Sequence, residues 1–293
     1  MRTLDPETIS ARFKGFDSWS DLEILDALWQ GQAGAIAAVR AVLPALAHAA
    51  TDMAERLRVG GRLMFVGAGT SGQLVALEAV EVPATFGWPA DRTPYRVAGY
   101  KAPPGIVAED NPDYAIALMD DLAPSPADCM VAVAASGMTP YTVAAAAHAF
   151  ARGTLVVALF NREECALREH AHHPVYLASG GEVPAGSTRM NAGTSQKAAL
   201  NLLSTLVMTR LGRVHDGLMV SLRPDRIKFR ERAIRIVAAI APCSVEEAAR
   251  FIDGADGRIK IAVLLARGAG RDEAANLLAA CSDNLRSAMQ RLS

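Results

Sequence analysis

The sequence predicts an α/β protein whose parallel sheet follows an amino-terminal helical segment and precedes a carboxyl-terminal helical appendage. Short apolar runs, each followed by a turn and a helical pattern, indicate parallel strands with crossover helices on both faces. After residue 222 these runs give way to charged amphipathic helices. We therefore expect three regions, 1–48, 49–222 and 223–293, of which the middle one holds the sheet.

The amino-terminal region is predicted to be helical. From Ser18 to Arg58, apolar side chains recur at helical spacing and alanine is frequent, which indicates two or three helices. Gly60 and Gly61 then end the pattern. Arg, Asp or Glu interrupts each long apolar run before the roughly 18 residues that a membrane span needs, so we expect none.

The elements of the other two regions are predicted from apolar runs, helical periodicity and turn residues. The predicted strands are Leu63 to Val66, Tyr95 to Ala98, Met130 to Ala135, Leu155 to Phe160 and Val175 to Ala178. The predicted helices of the middle region are Gly72 to Glu81, Pro112 to Leu122, Pro140 to Ala151 and Ala192 to Leu211. Those of the last region are Arg226 to Ile240, Ser244 to Asp253, Ile259 to Leu265 and Asp272 to Cys281.

Composition excludes several classes of partner. Thirty basic and thirty-one acidic residues give a net charge of −1, so no overall field attracts nucleic acid or an anionic membrane. The four cysteines lack C-x-x-C spacing, and the amino terminus lacks a secretory pattern, so we expect a reduced, cytoplasmic protein. The six histidines show no zinc-site spacing, and His172 and His173 are expected on a surface turn, so no metal is predicted.

Two matched glycine-rich loops point to a bound phosphate ester. Residues 67–72, GAGTSG, follow the first predicted strand, and residues 134–140, AASGMTP, follow the third. A dinucleotide site requires an acidic residue at the end of the second strand, whereas residues 95–98 run into Gly99 and Tyr100. Loop amides, hydroxyls and a helix amino terminus suit a monophosphate instead.

A third polar segment, residues 186–197, opens the longest predicted helix and extends the same site. An ordinary turn with a Ser or Thr helix cap, at Thr194 or Ser195 in this segment, is the alternative for each of the three. The pairing of two matched loops favours the phosphate. The predicted binding residues are Gly69, Thr70, Ser71, Ser136, Gly137, Thr139, Ser187, Thr188 and Lys197.

These loops, together with EVPATFG at 81–87 and GSTR at 186–189, resemble the signatures of the N-acetylmuramic acid 6-phosphate etherases. They occur in the family's order and at similar spacing, and the similarity continues through AGTSQK at 192–197 and RLG at 210–212. The resemblance implies an SIS-type three-layer αβα sandwich and a homodimer with sites near the subunit interface. It implies a sugar-phosphate ligand and no metal or organic cofactor.

The family's reaction removes the lactyl ether at C3 of the open-chain sugar by elimination and then adds water. By resemblance, Glu81 matches the glutamate that assists lactate departure and activates water, and Glu109 matches the candidate C2 base. Glu81 also follows an apolar helical stretch, where burying a carboxylate is costly. The alternatives are a solvated or ion-paired Glu81, and a Glu109 that begins the next helix. Glu78 either competes with Glu81 or pairs structurally.

Two positions depart from the family pattern. Gln73 and Met138 stand where the family commonly has arginine, which leaves recognition of the lactyl group open. Two other functions therefore remain as alternatives, an aldose–ketose isomerase of the same fold and a non-catalytic sugar-phosphate sensor. The glucokinase regulatory protein of animals, which resembles these etherases, binds sugar phosphates without transforming them.

Overall fold

The computed structural model describes residues 6–99, 107–224 and 227–292. Within them, five parallel strands form one sheet in the order β2-β1-β3-β4-β5, which confirms the predicted α/β class. The strands are β1 Leu63–Gly67, β2 Tyr95–Val97, β3 Cys129–Ala134, β4 Leu155–Phe160 and β5 His173–Tyr176.

The described residues contain eleven α-helices. Those before residue 211 are α1 Asp21–Val39, α2 Leu43–Arg58, α3 Gly69–Phe86, α4 Pro112–Leu122, α5 Pro140–Ala151 and α6 Asn191–Arg210. The others are α7 Ile227–Ile240, α8 Val245–Gly254, α9 Ile259–Ala266, α10 Arg271–Ala280 and α11 Leu285–Leu292. The predicted start of α7 at Arg226, like Tyr100, lies outside the described residues.

The register of the sheet places the two glycine-rich loops side by side. Strands β1 and β3 pair in parallel from Leu63 with Cys129 to Gly67 with Val133, so they end at the same edge. Every residue of β1, β3 and β4 is buried, as expected for central strands covered by helices on both faces. The loops that follow β1 and β3 therefore emerge together at the carboxyl edge, where α/β proteins bind ligands.

The chain forms two compact units. The first holds residues 1–79 and 91–204 and contains the sheet. The second holds residues 80–90 and 205–293, with helices α7–α11 packed around their own apolar core. Val237, Ala262 and Val263 are fully buried at the centre of that core.

The amino-terminal helices are more exposed than a core helix. The stretch 21–58 includes an apolar segment of 18 residues with a mean hydropathy of 1.5, and 28% of this segment is buried. By length and composition alone this stretch is apolar enough to cross a membrane, although Asp26 and Arg40 interrupt its apolar run as expected. A single helix of this kind is weak evidence for a membrane, because core helices of soluble proteins meet the same criteria.

Two local predictions are wrong. Helix α3 begins at Gly69, three residues earlier than predicted, so Gly69, Thr70 and Ser71 belong to its first turn. His173 begins strand β5, so the surface turn is wrong for this residue, whereas His172 before it lies exposed in a bend, where its ring packs on Phe150 with the ring centroids 4.6 Å apart. The period-2 signal of this short strand is weak, which explains the predicted surface turn.

Candidate active site

The first loop lies against a carboxylate. Gly69 adopts a φ of +53°, and a Cβ placed there would lie 3.4 Å from Oε1 of Glu109. Glu109 is exposed and belongs to a short 3-10 turn, Ala108–Asp110, whereas α4 begins later and is capped by Asn111. The alternative in which Glu109 begins the following helix is therefore wrong. The structure brings two predicted site residues, Gly69 and Glu109, into one place.

The second loop is held closely against the segment after β4. Gly137 has a φ of +63°, and a Cβ at this position would overlap Cβ and Sγ of Cys165. Its carbonyl oxygen accepts a hydrogen bond from Leu167 N at 3.0 Å. Ser136 Oγ accepts from Met138 N at 3.1 Å. Only glycine fits at position 137, which explains this residue by conformation rather than by ligand contact.

Helix α5 has no side-chain cap. Thr139 is its N-cap residue, but the Thr139 side chain makes no capping hydrogen bond, and Pro140 occupies the first helical position. The alternative of an ordinary threonine cap is therefore wrong for this loop. The amino terminus of α5 carries partial positive charge, so a half-buried Thr139 hydroxyl stands where an anion is favoured.

Helix α6 differs, because the chain itself supplies an anion at its amino terminus. The Glu182 carboxylate accepts hydrogen bonds from Asn191 N at 2.8 Å and Ala192 N at 2.9 Å. Glu182 is 1% exposed. Burial raises the pKa of its carboxyl, and the two amide hydrogen bonds offset only part of that rise. Thr194 and Ser195 lie inside α6, so the predicted caps at those positions are wrong.

The second loop and the third polar segment both line a small depression, here called the recess. A cationic side chain, that of Arg162, lines it as well. The recess is lined by Pro6, Glu7, Ser136, Arg162 and Thr188. Arg162 is exposed and follows the end of β4 by two residues. Sequence reasoning missed it, although its position at the carboxyl edge of the sheet is a signal that would have found it.

The first loop and the third segment are also in contact. A Cβ placed on Gly193 would lie 3.3 Å from the carbonyl oxygen of Thr188 and 3.4 Å from Cγ2 of Thr70. The same Thr188 oxygen accepts a hydrogen bond from Gly193 N at 2.9 Å. Ser187 lies half-buried in the adjoining turn, where its backbone N donates to Pro184 O at 2.9 Å. All three polar segments of the sequence analysis thus converge in the first unit.

Ser71 belongs to a buried network instead of lining the recess. Its hydroxyl donates to Gln196 Oε1 at 2.9 Å, and Gln196 Nε2 donates to Asn161 Oδ1 at 2.8 Å. Asn161 Nδ2 donates in turn to Ser179 Oγ and Ser195 Oγ. Ser71 is 6% exposed. Its proton is therefore committed to the scaffold, which the sequence alone did not indicate.

Lys197 and Glu78 belong to a second network between α3 and α6. The Lys197 ammonium donates to Asn201 Oδ1, and Asn201 Nδ2 donates to Glu78 Oε2 at 2.5 Å. Ser204 Oγ donates to the other oxygen of the buried Glu78 carboxylate at 2.5 Å. Glu78 therefore has a structural role, which is one of the two predicted alternatives. Lys197, a predicted binding residue, donates its hydrogen bond to this network in the structure.

Glu81 is exposed on α3 and belongs to the second unit. The expectation that this carboxylate is costly to bury is therefore wrong, because its neighbours Val80 and Leu77 are exposed as well, at 60% and 44%. Among the described residues, no cluster of three or more His, Cys, Asp or Glu side chains has a geometry that would hold a metal ion.

Comparison with known proteins identifies close relatives by sequence. Residues 36–161 match the SIS domain family. A Rubrobacter xylanophilus protein named N-acetylmuramic acid 6-phosphate etherase is 43% identical over 249 residues, covering 84% of this chain and 83% of that protein. A protein of the same name from Streptomyces avermitilis is 38% identical over 295 residues, covering 99% of this chain and 94% of that protein.

Solved structures share the fold. A putative phosphosugar isomerase involved in capsule formation from Bacteroides fragilis superposes with a TM-score of 0.51 at 20% identity, covering 68% of this chain and 99% of that one. A phosphoheptose isomerase from Francisella tularensis gives a TM-score of 0.50 at 19% identity, covering 65% of this chain and all of that one. At such identities the likeness shows the SIS fold and nothing more.

Proposed function

Because this chain belongs to the N-acetylmuramic acid 6-phosphate etherases, we propose that it converts N-acetylmuramic acid 6-phosphate to N-acetylglucosamine 6-phosphate and lactate. It is a carbon–oxygen lyase that acts by elimination followed by hydration, in the recycling of cell-wall sugars. The observation that best supports this reaction at the site is the Glu109 carboxylate beside Gly69, at the loops suited to a phosphate ester.

The reaction requires a base and an acid. Glu109 takes the proton from C2 of the open-chain sugar, the C3–O bond breaks, and lactate leaves with a proton from the Glu81 carboxyl. The product is an unsaturated aldehyde. Water then adds at C3 while Glu81 takes its proton, and Glu109 returns a proton to C2. Two carboxyl groups with opposite protonation states are sufficient for all four proton transfers.

The phosphate is proposed to bind at the uncapped amino terminus of α5. Thr139 and Ser136 supply hydroxyl donors there, and Thr188 approaches from the third segment across the recess. The two glycine-rich loops contain no basic residue, so Arg162 is the cation that the recess offers to a phosphate dianion. Guanidinium groups suit phosphate because they donate two parallel hydrogen bonds.

We also propose that the active protein is a homodimer. Helix α1 exposes a row of large apolar side chains at spacings of three, four and seven residues, which together form one face. These are Leu22, Leu25, Trp29 and Ile36, at 77%, 62%, 68% and 51% exposure. Such a patch is typical of an interface. Light scattering should give twice the mass of 30.9 kDa, and Trp29→Glu should shift it toward the monomer.

A reducing compartment, the cytoplasm, is the proposed location. The four cysteines form no disulfide, and Cys129 is fully buried. Burial raises the pKa of the Cys129 thiol to about 12, so it stays protonated and unreactive. Fractionation of cells that produce the protein at natural levels would test this location.

The decisive experiment measures lactate released from N-acetylmuramic acid 6-phosphate by the purified protein. Glu109→Gln should lower the rate at least about a hundredfold, because a general base contributes on that order. Asp110→Asn is the matched control, since Asp110 is exposed in the same turn, and it should retain the rate. Release of a ketose phosphate without lactate would instead assign an isomerase.

The roles of the two glutamates separate by isotope exchange. In deuterated water, Glu81→Gln should still incorporate deuterium at C2 of the substrate while lactate release stops, because removal of the C2 proton precedes loss of lactate. Glu109→Gln should do neither. Exchange at C2 that persists in Glu109→Gln, with unaltered folding by circular dichroism, would contradict the assignment of Glu109 as the base.

A further inference from the structure

The second unit contains a cavity of about 930 Å³, here called the carboxyl-terminal cavity. Protein interiors are close-packed and leave few voids larger than a water molecule. Sites for small ligands typically measure roughly 300–1,000 Å³. This cavity therefore has the volume of a binding site and is much larger than a packing defect.

Its walls are largely apolar. Side chains of α8, α9 and α10 and of the segment before α7 line it, and most of the apolar ones also belong to the core of the second unit or pack against it. The apolar lining residues are Val220, Leu222, Ile252, Ile259, Ile261, Ala275, Leu278 and Ala279. Such walls favour an occupant with an apolar body, because water gains little from contact with them.

The charges around the cavity are unbalanced. Its described lining contains five cationic side chains, Arg213, Arg223, Arg230, Arg258 and Lys260, and three carboxylates, Asp253, Asp256 and Asp283.

Each carboxylate already has a cation. Asp253 accepts from Arg230 at 2.7 Å, Asp283 accepts from Lys260 at 2.6 Å, and Asp256 pairs with Arg271. Within the described part of the chain, no carboxylate forms an ion pair with Arg223 or Arg258. The cavity therefore carries a positive excess.

One further feature strengthens that excess. Helix α9 begins at the cavity, and its N-cap residue Arg258 makes no side-chain capping hydrogen bond. The first-turn amides of α9 thus add partial positive charge to the same wall.

We propose that the carboxyl-terminal cavity binds a small organic anion with an apolar body, whose acidic group lies near Arg258 and the start of α9. The apolar body would contact Ile252 and Leu278. This ligand site is separate in composition from the proposed catalytic residues and does not depend on the etherase reaction.

Titration of the full-length protein with 1-anilinonaphthalene-8-sulfonate tests the proposal, because this fluorescent probe is an apolar anion. We expect saturable binding at one site, and at least about tenfold weaker binding of the uncharged analogue N-phenyl-1-naphthylamine, as the loss of a charge-assisted hydrogen bond predicts. Arg258→Gln should weaken binding of the sulfonate by a similar factor without affecting the analogue.

Variants then locate the site. Ala279 is exposed and lines the cavity, so Ala279→Trp adds a bulky group there without overpacking the core and should abolish binding. Arg235→Gln, on α7 and outside the lining, is the matched control and should bind as the unaltered protein does. Thermal unfolding of each variant checks its fold. Equal binding of the sulfonate by all variants, or equal affinity for both probes, would overturn the proposal.

Discussion

The Ser71 hydroxyl, in the first turn of α3, donates a hydrogen bond to Oε1 of Gln196 on α6 at a distance of 2.9 Å. This contact divides the predicted phosphate hydroxyls into two groups. Ser71 is buried and committed to the scaffold, whereas Ser136 and Thr188 line the recess. Substitution of Ser71 should therefore lower stability, whereas substitution of a hydroxyl that lines the recess should weaken substrate binding.

Ser71→Ala should destabilise the protein by about 1–3 kcal/mol, since it leaves a buried amide oxygen of Gln196 without a donor. Urea unfolding measures this loss. Ser136→Ala is the control, because among the described residues its half-buried hydroxyl accepts a hydrogen bond only within its own loop, from Met138 N. It should lose less than about 1 kcal/mol but raise KM. Equal stability of Ser71→Ala and the unaltered protein would contradict the assignment.

Arg162→Gln should raise KM for N-acetylmuramic acid 6-phosphate about tenfold or more and leave kcat largely unaltered, because a charged hydrogen bond to phosphate acts on ground state and transition state alike. Steady-state lactate release provides both constants. Arg168→Gln is the matched control, an exposed arginine in the same segment that donates to Glu163 O. An unaltered KM in Arg162→Gln would remove this residue from the site.

Gly137→Ala should destabilise the protein by more than about 2 kcal/mol, since overlap with Cys165 adds an overpacking cost to the cost of a positive φ. Gly180→Ala is the control that measures the cost of a positive φ alone. Gly180 has a φ of +75° and open space around the position of a Cβ, so its loss should be near 1 kcal/mol. Chemical denaturation of both variants measures the loss in free energy of unfolding. Equal losses would show that Cys165 moves to make room for the added Cβ.

Glu182 should make stability depend on pH in mildly acidic solution. Burial raises the pKa of its carboxyl in the folded state, so the folded protein binds this proton more tightly than the unfolded chain does. The contribution of Glu182 to the free energy of unfolding therefore increases as pH falls from above the folded-state pKa toward the ordinary value of 4.5.

Glu182→Gln removes this titration. The free energy of unfolding of the unaltered protein, minus that of the variant, should grow as pH is lowered through that window. Urea unfolding at several pH values between 7 and 4.5 measures the difference. A difference that shrinks toward acid pH would mean that the amide hydrogen bonds from Asn191 and Ala192 outweigh burial.

The parallel sheet was predictable because each central strand is a continuous apolar run. Three elements coincide with their predicted bounds, the strand Leu155–Phe160 and the helices Pro112–Leu122 and Pro140–Ala151. The strand is a fully apolar run, and each helix has a proline at its first position. Helix α11, Leu285–Leu292, was not predicted. Its eight residues give too few repeats for a periodic signal.

The candidate site was predictable as segments but not as contacts. Glycines and hydroxyls revealed the loops, yet nothing in the sequence indicates that Ser71 faces Gln196 or that Glu182 reaches the start of α6. These pairs are 125 and 9–10 residues apart, and their partners are determined by tertiary packing. Arg162 was missed because the prediction considered hydroxyl donors and not the cation after β4.

Glu182 has a consequence for the design of inhibitors. An acidic group on a synthetic compound gains little by approaching the start of α6, because the chain's own carboxylate already occupies its two amides. Only displacement of a buried side chain would free that position. Chemists who seek tight-binding compounds should therefore direct the acid toward α5 and vary the rest of the scaffold around it.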